Sequence, residues 1–155
     1  MNVEFINPFI NALVNVLATM AQTELKAKKP EKKVGKTAHG DVSGLIGMVG
    51  PSIKGSFSLT FDEPLALTIM QRMVGESPEE INPEVADMVG EITNMVCGGA
   101  KLELSNKGHE FNMATPMVVS GKEHNISHQI DGPTLMMHFS SDSGNACLEI
   151  CFEPT

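Results

Sequence analysis

The run from Asn82 to Ser105 constrains this chain more than any other stretch, because it reads as one long helix with three sorted faces. Wound at about 100° per residue, it gathers Val85, Met88, Val89, Ile92, Met95, Val96 and Leu102 on a broad apolar stripe. Asp87, Glu91, Asn94, Gly98 and Lys101 fall on a narrow polar stripe roughly opposite. One flank between the two holds only small residues: Ala86, Gly90, Thr93, Cys97 and Ala100. A surface helix ordinarily scatters long charged side chains over its outer face. This one offers a carboxylate and a carboxamide one turn apart, Glu91 and Asn94, beside a bare glycine. Such a helix suits close approach by another body.

Each glycine inside a helix costs about 1 kcal/mol relative to alanine, so Gly90, Gly98 and Gly99 require a reason. Gly90 and Gly99 lie off the polar stripe and read as positions where a neighbouring element packs closely. Gly98 lies one turn after Asn94 on the same stripe. There, packing and clearance beside the amide are equally open readings.

The rest of the chain supplies a frame. Asn7 followed by Pro8 predicts a helix start, and Phe9, Ile10, Leu13, Val16, Leu17 and Met20 keep the helical period to about Leu25. Lys28 to Gly40 reads as a connector or a weak edge strand. Val42 to Val49, and the alternating Ser56 to Phe61, predict an antiparallel pair, the second strand half-buried. Asp62, Glu63 and Pro64 open a second helix through Val74, closed by Gly75. Ser77 to Glu80 reads as a capping box worth one turn, before a fresh start with Asn82 as cap and Pro83 as first helical residue. Phe111 to Val119, in one or two pieces around Pro116, then Thr134 to Ser140 and Asn145 to Phe152, predict further strands.

Phe57 to Asp62 echoes Leu148 to Glu153, a faint internal repeat that makes the opening helix the counterpart of the long one. Neither matching register, Ala12 with Asn15 or Asn11 with Val14, restores a Glu-x-x-Asn pair, so a single active face is expected. The expected fold is α+β: one domain over residues 1–155, with an antiparallel sheet of about six strands and three main helices packed on it.

Charge narrows the partners. The net charge is −8, yet six of the eleven basic residues (Lys26, Lys28, Lys29, Lys32, Lys33 and Lys36) crowd into one segment, which reads as a solvated connector. Glu76, Glu79, Glu80, Glu84, Asp87 and Glu91 leave the long helix and its approach acidic. Nucleic acid does not suit that face, because phosphate binding runs on Lys and Arg. A partner surface carrying at least one lysine does. No stretch approaches the roughly 20 apolar residues of a membrane span, and Glu4 and Asn7 break the order of a signal peptide. Cys97, Cys147 and Cys151 are therefore read as reduced thiols of a cytoplasmic protein. His124 and His128, four residues apart, lie in a polar stretch with no completing ligand, so no metal site is expected. Eleven Met and no Trp or Tyr point to an adaptable core.

Glu91 and Asn94 are not a nucleophile and its base. A carboxamide can instead accept from a water through its oxygen while its NH2 donates to an anion. Holding a water in line with phosphorus removes several kcal/mol of barrier by orientation alone, and phosphoryl transfer relies largely on such positioning.

Asp87-x-x-x-Glu91-x-x-Asn94-x-x-x-Gly98 resembles the signature of the CheC/CheX/FliY phosphatases of bacterial and archaeal chemotaxis, and the short chain with one full copy is most similar to CheX. The resemblance extends to Asn7-Pro8-Phe9, to the glycines Gly44, Gly47, Gly50 and Gly55, and to Met73-Val74-Gly75-Glu76. It implies the CheC/CheX-like pseudo-repeat fold and a phosphatase for the aspartyl phosphate of a CheY-type response regulator. Asn94 would orient the attacking water and Glu91 would pair with the regulator's active-site lysine. Asp87, Gly98 and Lys101 would belong to the partner-binding stripe. No cofactor or metal of the chain's own is implied, the Mg²⁺ coming with the receiver. The resemblance also implies a homodimer joined through sheet edges, with Asn145 to Phe152 as one such edge. The competing expectations are a non-catalytic module that sequesters a phosphorylated receiver or docks on a flagellar switch component, and a structural subunit with the polar stripe buried against another chain.

Overall fold

A computed structural model describes residues 3–51 and 53–153 of the chain, so the outermost positions of the expected 1–155 domain lie outside the described residues. Its helices are α1 (Val3–Ala21), α2 (Glu63–Val74) and α3 (Pro83–Asn106). The strands are β1 (Lys26–Ala27), β2 (Glu31–Lys32), β3 (Val42–Val49), β4 (Lys54–Phe61), β5 (Asn112–Met113), β6 (Met117–Ser120), β7 (Thr134–Ser140) and β8 (Asn145–Phe152).

Two helices begin where the sequence predicts, each at a capping oxygen with a proline in the first two helical positions. Asp62 accepts from the Leu65 N–H at 3.0 Å and Asn82 from the Val85 N–H at 2.9 Å, satisfying donors that a helix start leaves orphaned. Gly75, at φ 84°, closes α2 in the left-handed conformation that glycine alone adopts without strain.

The first helix differs from expectation at both ends. It already runs at Val3 and carries Pro8 inside it, so Asn7-Pro8 is not its start. Proline there forfeits one backbone bond near the helix entrance. Packing of the residues before it offsets that loss: Ile6 is buried and the Phe5 ring lies 5.3 Å from that of Phe152. The helix stops at Ala21 rather than Leu25, because Gln22 turns to φ 45° and the Thr23 N–H folds back onto the Leu17 carbonyl. The turn predicted at Ser77 to Glu80 does not form. Pro83 forces the residue before it into extended backbone, and too little chain is left after Pro78 to close a turn.

The sheet is antiparallel throughout, in the order β1-β7-β8-β4-β3-β5, with β2 also on β7 and β6 also on β3. The two segments that echo each other in sequence lie side by side at its centre, with Phe57 opposite Ile150, Leu59 opposite Leu148 and Phe61 opposite Ala146. β8 is thereby hydrogen-bonded on both sides, to β4 and to β7. It has no free edge to offer a second chain, which corrects the expected dimer strand. The two strands beyond the expected six are β1 and β2, two residues each, drawn from the lysine-rich segment onto β7.

One face of the sheet carries Val42, Ile46, Phe57, Leu59, Phe61, Leu148 and Ile150 and forms the core with α1, α2 and α3. Phe9, Leu13 and Leu17 are fully buried there. By length and composition Glu4–Ala21 does reach what a membrane span requires, against the sequence expectation. In the fold one face of it, through Ile6, Phe9, Leu13 and Leu17, is buried in the core.

The opposite face overturns two further expectations. β4 is not half-buried: Ser56, Ser58 and Thr60 are as enclosed as Phe57 and Leu59 between them. The segment 121–133 lies over them. His124 Nε2 is 2.7 Å from Ser43 Oγ, and His128 bridges Ser56 Oγ (2.7 Å, through Nδ1) and Glu149 Oε1 (3.0 Å, through Nε2). Lys33 is no solvated connector residue either. Its ammonium is buried and donates to Glu149 Oε2 at 2.7 Å.

Candidate functional site

α3 passes unbroken through Gly90, Gly98 and Gly99, and its glycines sort by surroundings. A Cβ on Gly90 would stand 3.2 Å from Val118 Cγ2 of β6, and one on Gly99 3.2 Å from the Ala12 Cβ of α1. Thr93, on the same small-residue flank, presses on β3 so closely that a Cβ on Gly44 would collide with its hydroxyl. The body that this flank admits is the protein's own sheet. Gly98 is different: a Cβ there would meet nothing within 4 Å.

The outward stripe is therefore bare. Asp87 and Glu91 are exposed, while Asn94, Gly98 and Lys101 are part-exposed. No hydrogen bond or ion pair joins the Glu91 or Asn94 side chain to another described residue. The carboxamide can turn either its oxygen or its NH2 to a visitor. The opposite side of the same helix, through Val85, Val89, Ile92 and Val96, is buried in the core and fixes where the stripe points.

Two members of the predicted apolar stripe rotate out of the core. Met95 is only part-buried, and Leu102 is 67% exposed. On the helical wheel Leu102 stands about 80° from Asn94, on the side of Glu91, at the margin of the stripe. That angle is visible in the sequence, but a leucine invites assignment to the core.

Electrostatics agree with a face that carries negative charge. The Glu84 carboxyl is pushed up by its hydrogen bond to Glu76 and by the repulsion between the two. Cys97 is fully buried, and that burial pushes its thiol up to about 12 despite the opposing pull of Lys101. Asp87 and Glu91 are two exposed carboxylates one turn apart on the outward stripe. The buried trio of Lys33, Glu149 and His128 was not legible beforehand, because its members come from three separate segments.

Comparison with known proteins bears on the same region. The family model for chemotaxis phosphatase CheX matches residues 42–140, from the first long strand through α3 to β7. A CheC-like superfamily protein from Shewanella sp. PV-4 superposes with a TM-score of 0.93 at 62% identity, over 99% of this chain and 100% of that one. The CheX–CheY–BeF3–Mg²⁺ complex from Borrelia burgdorferi matches with a TM-score of 0.82 at 26% identity, over 99% of this chain and 100% of that one. The CheY-P phosphatase CheX of Thermotoga maritima is 31% identical over 80 residues, 51% of this chain and 51% of that protein. That alignment spans about half the length of the curated relative. With that family model covering residues 42–140, more than half of its length, the chain belongs to the CheX family.

Proposed function

We propose that the protein hydrolyses the aspartyl phosphate of a CheY-type response regulator, with α3 as the element that enters the regulator's active site. The observation that supports this most is the pair Glu91 and Asn94: outward, unengaged by their own chain, and flanked by open space at Gly98. The complex of the Borrelia burgdorferi relative with CheY and BeF3 is consistent with it.

In this reading Asn94 accepts a hydrogen bond from the attacking water through Oδ1 and donates through Nδ2 to a nearby anionic oxygen. The water adds to phosphorus, the bond from phosphorus to the aspartyl oxygen breaks, and the carboxylate leaves with the electron pair. Inorganic phosphate is released. No strong base is needed, because a loose phosphoryl transition state asks chiefly for alignment. Glu91 pairs with a lysine of the receiver and sets the depth of insertion, while Asp87 and Lys101 extend the contact. The Mg²⁺ comes with the receiver, where it neutralises charge on the phosphoryl oxygens.

The test follows phosphate loss from a radiolabelled phospho-receiver. Asn94→Ala should lower stimulated turnover about 100-fold or more while binding to the receiver loaded with Mg²⁺ and beryllofluoride persists. Unchanged turnover would overturn the role of Asn94. A receiver that binds yet keeps its phosphate for its unassisted lifetime would overturn the activity.

A further inference from the structure

We infer that Leu102 is the apolar anchor that holds the receiver domain while Asn94 acts, and so sets affinity and partner choice rather than the chemical step. This rests on the proposed function and names a part of the contact that the Asp-Glu-Asn-Gly signature does not contain.

Glu91 and Asn94 are polar and small in contact area, yet the centre of a protein interface is apolar and a few desolvated side chains supply most of its binding energy. Among the large apolar residues exposed in the structure, Leu102 is the one that α3 carries. Met20, Val34, Val49, Val74 and Met117 lie on other elements. Leu102 follows Gly98 by one turn, so the bare backbone at Gly98 separates it from Asn94 without a wall between them.

Distance makes its inclusion hard to avoid. Eight residues of helix separate Asn94 from Leu102, about 12 Å along the axis. A standard interface covers about 800 Å² on each partner, a disc of about 16 Å radius. A receiver centred on Asn94 therefore covers Leu102. The occupant is the receiver itself, because the leucine stands at the margin of the stripe that receives its phosphorylated pocket, and an apolar side chain on the receiver's rim is what fits against it.

The probe is the receiver domain loaded with Mg²⁺ and beryllofluoride, titrated into the full chain, with turnover measured alongside on the phosphorylated form. Leu102→Glu should weaken binding and raise KM about tenfold or more, with turnover at saturating receiver held. Leu102→Met should restore the parent affinity, and thermal midpoints should match because the side chain is exposed. An unchanged KM in Leu102→Glu overturns the anchor and leaves the phosphatase reading standing. A fall in kcat at constant KM also overturns it. A parent protein that binds the loaded receiver without shortening its phosphate lifetime overturns the phosphatase reading alone, and one that binds no loaded receiver overturns both.

Discussion

Gly98 and Gly44 show how one missing side chain can serve opposite ends. At Gly44 a Cβ would run into Thr93, which itself donates to the Val89 carbonyl at 2.6 Å and cannot swing away freely. Gly44→Ala should therefore destabilise by about 1–3 kcal/mol through overpacking. At Gly98 a Cβ meets nothing, so alanine should stabilise the helix by about 1 kcal/mol, a rise in thermal midpoint of about 2–4 °C for a chain of this size. Thermal melts of the two variants check the contrast. A fall with Gly98→Ala would show that this glycine is also a packing position and remove one support for an approach at Asn94. From sequence the two uses could not be separated at Gly98, because a helical wheel gives direction without saying what stands there. The wheel did place Asp87, Glu91, Asn94, Gly98 and Lys101 on the solvent side, and it misassigned Leu102 only through the habit of burying leucine.

The elements that local rules govern were legible, and those held by distant partners were not. Capping side chains and prolines announced α2 and α3, and the period of two announced β4. Nothing local announced that the serine face of β4 would be covered. Lys33 and Glu149 are 116 positions apart, and His128 arrives from a segment without periodicity. Burial pushes the Glu149 carboxyl up, but the hydrogen bonds from His128 and Lys33 and their charges outweigh it and hold the group below its ordinary value. A carboxyl lowered in the folded state contributes stability at pH values above its unfolded value near 4.3. That contribution is lost as pH falls through the lower folded value. Urea melts from pH 7 down to pH 3 should show this acid limb in the parent protein and not in Glu149→Gln. Because Glu149→Gln strands the buried Lys33 ammonium, it should cost about 3–5 kcal/mol at pH 7. The double variant Lys33→Met/Glu149→Gln should recover a large part of that cost. A double variant no better than the single one would show that Lys33 is not held by Glu149 in solution.

At the scale of the whole molecule the two halves are built alike but equipped differently. β4 and β8 pair at the centre of the sheet as counterparts, and α1 and α3 pack against each other on its core face as the corresponding helices. An equal pair of active faces would need α1 to repeat the outward Glu-x-x-Asn. At one register the glutamate's place is taken by Ala12, which is part-buried and faces Gly99 of α3. Its companion Asn15 is already within 3.4 Å of the Thr19 hydroxyl. At the other register Val14 stands in the asparagine's place and is part-buried among core residues. Geometry as well as composition therefore leaves α1 without a second face. A glutamate put at Ala12 would strike the α3 backbone before it reached a visitor. Calorimetric titration with the beryllofluoride-loaded receiver should saturate at one receiver per chain, and Ala12→Glu should not raise that number. Since Glu84, Asp87 and Glu91 make the approach negative, association should also slow as salt screens the attraction beyond about 8–10 Å. Two receivers bound per chain would mean that α1 docks without the signature, and the assignment of binding to the outward stripe of α3 would then have to be given up.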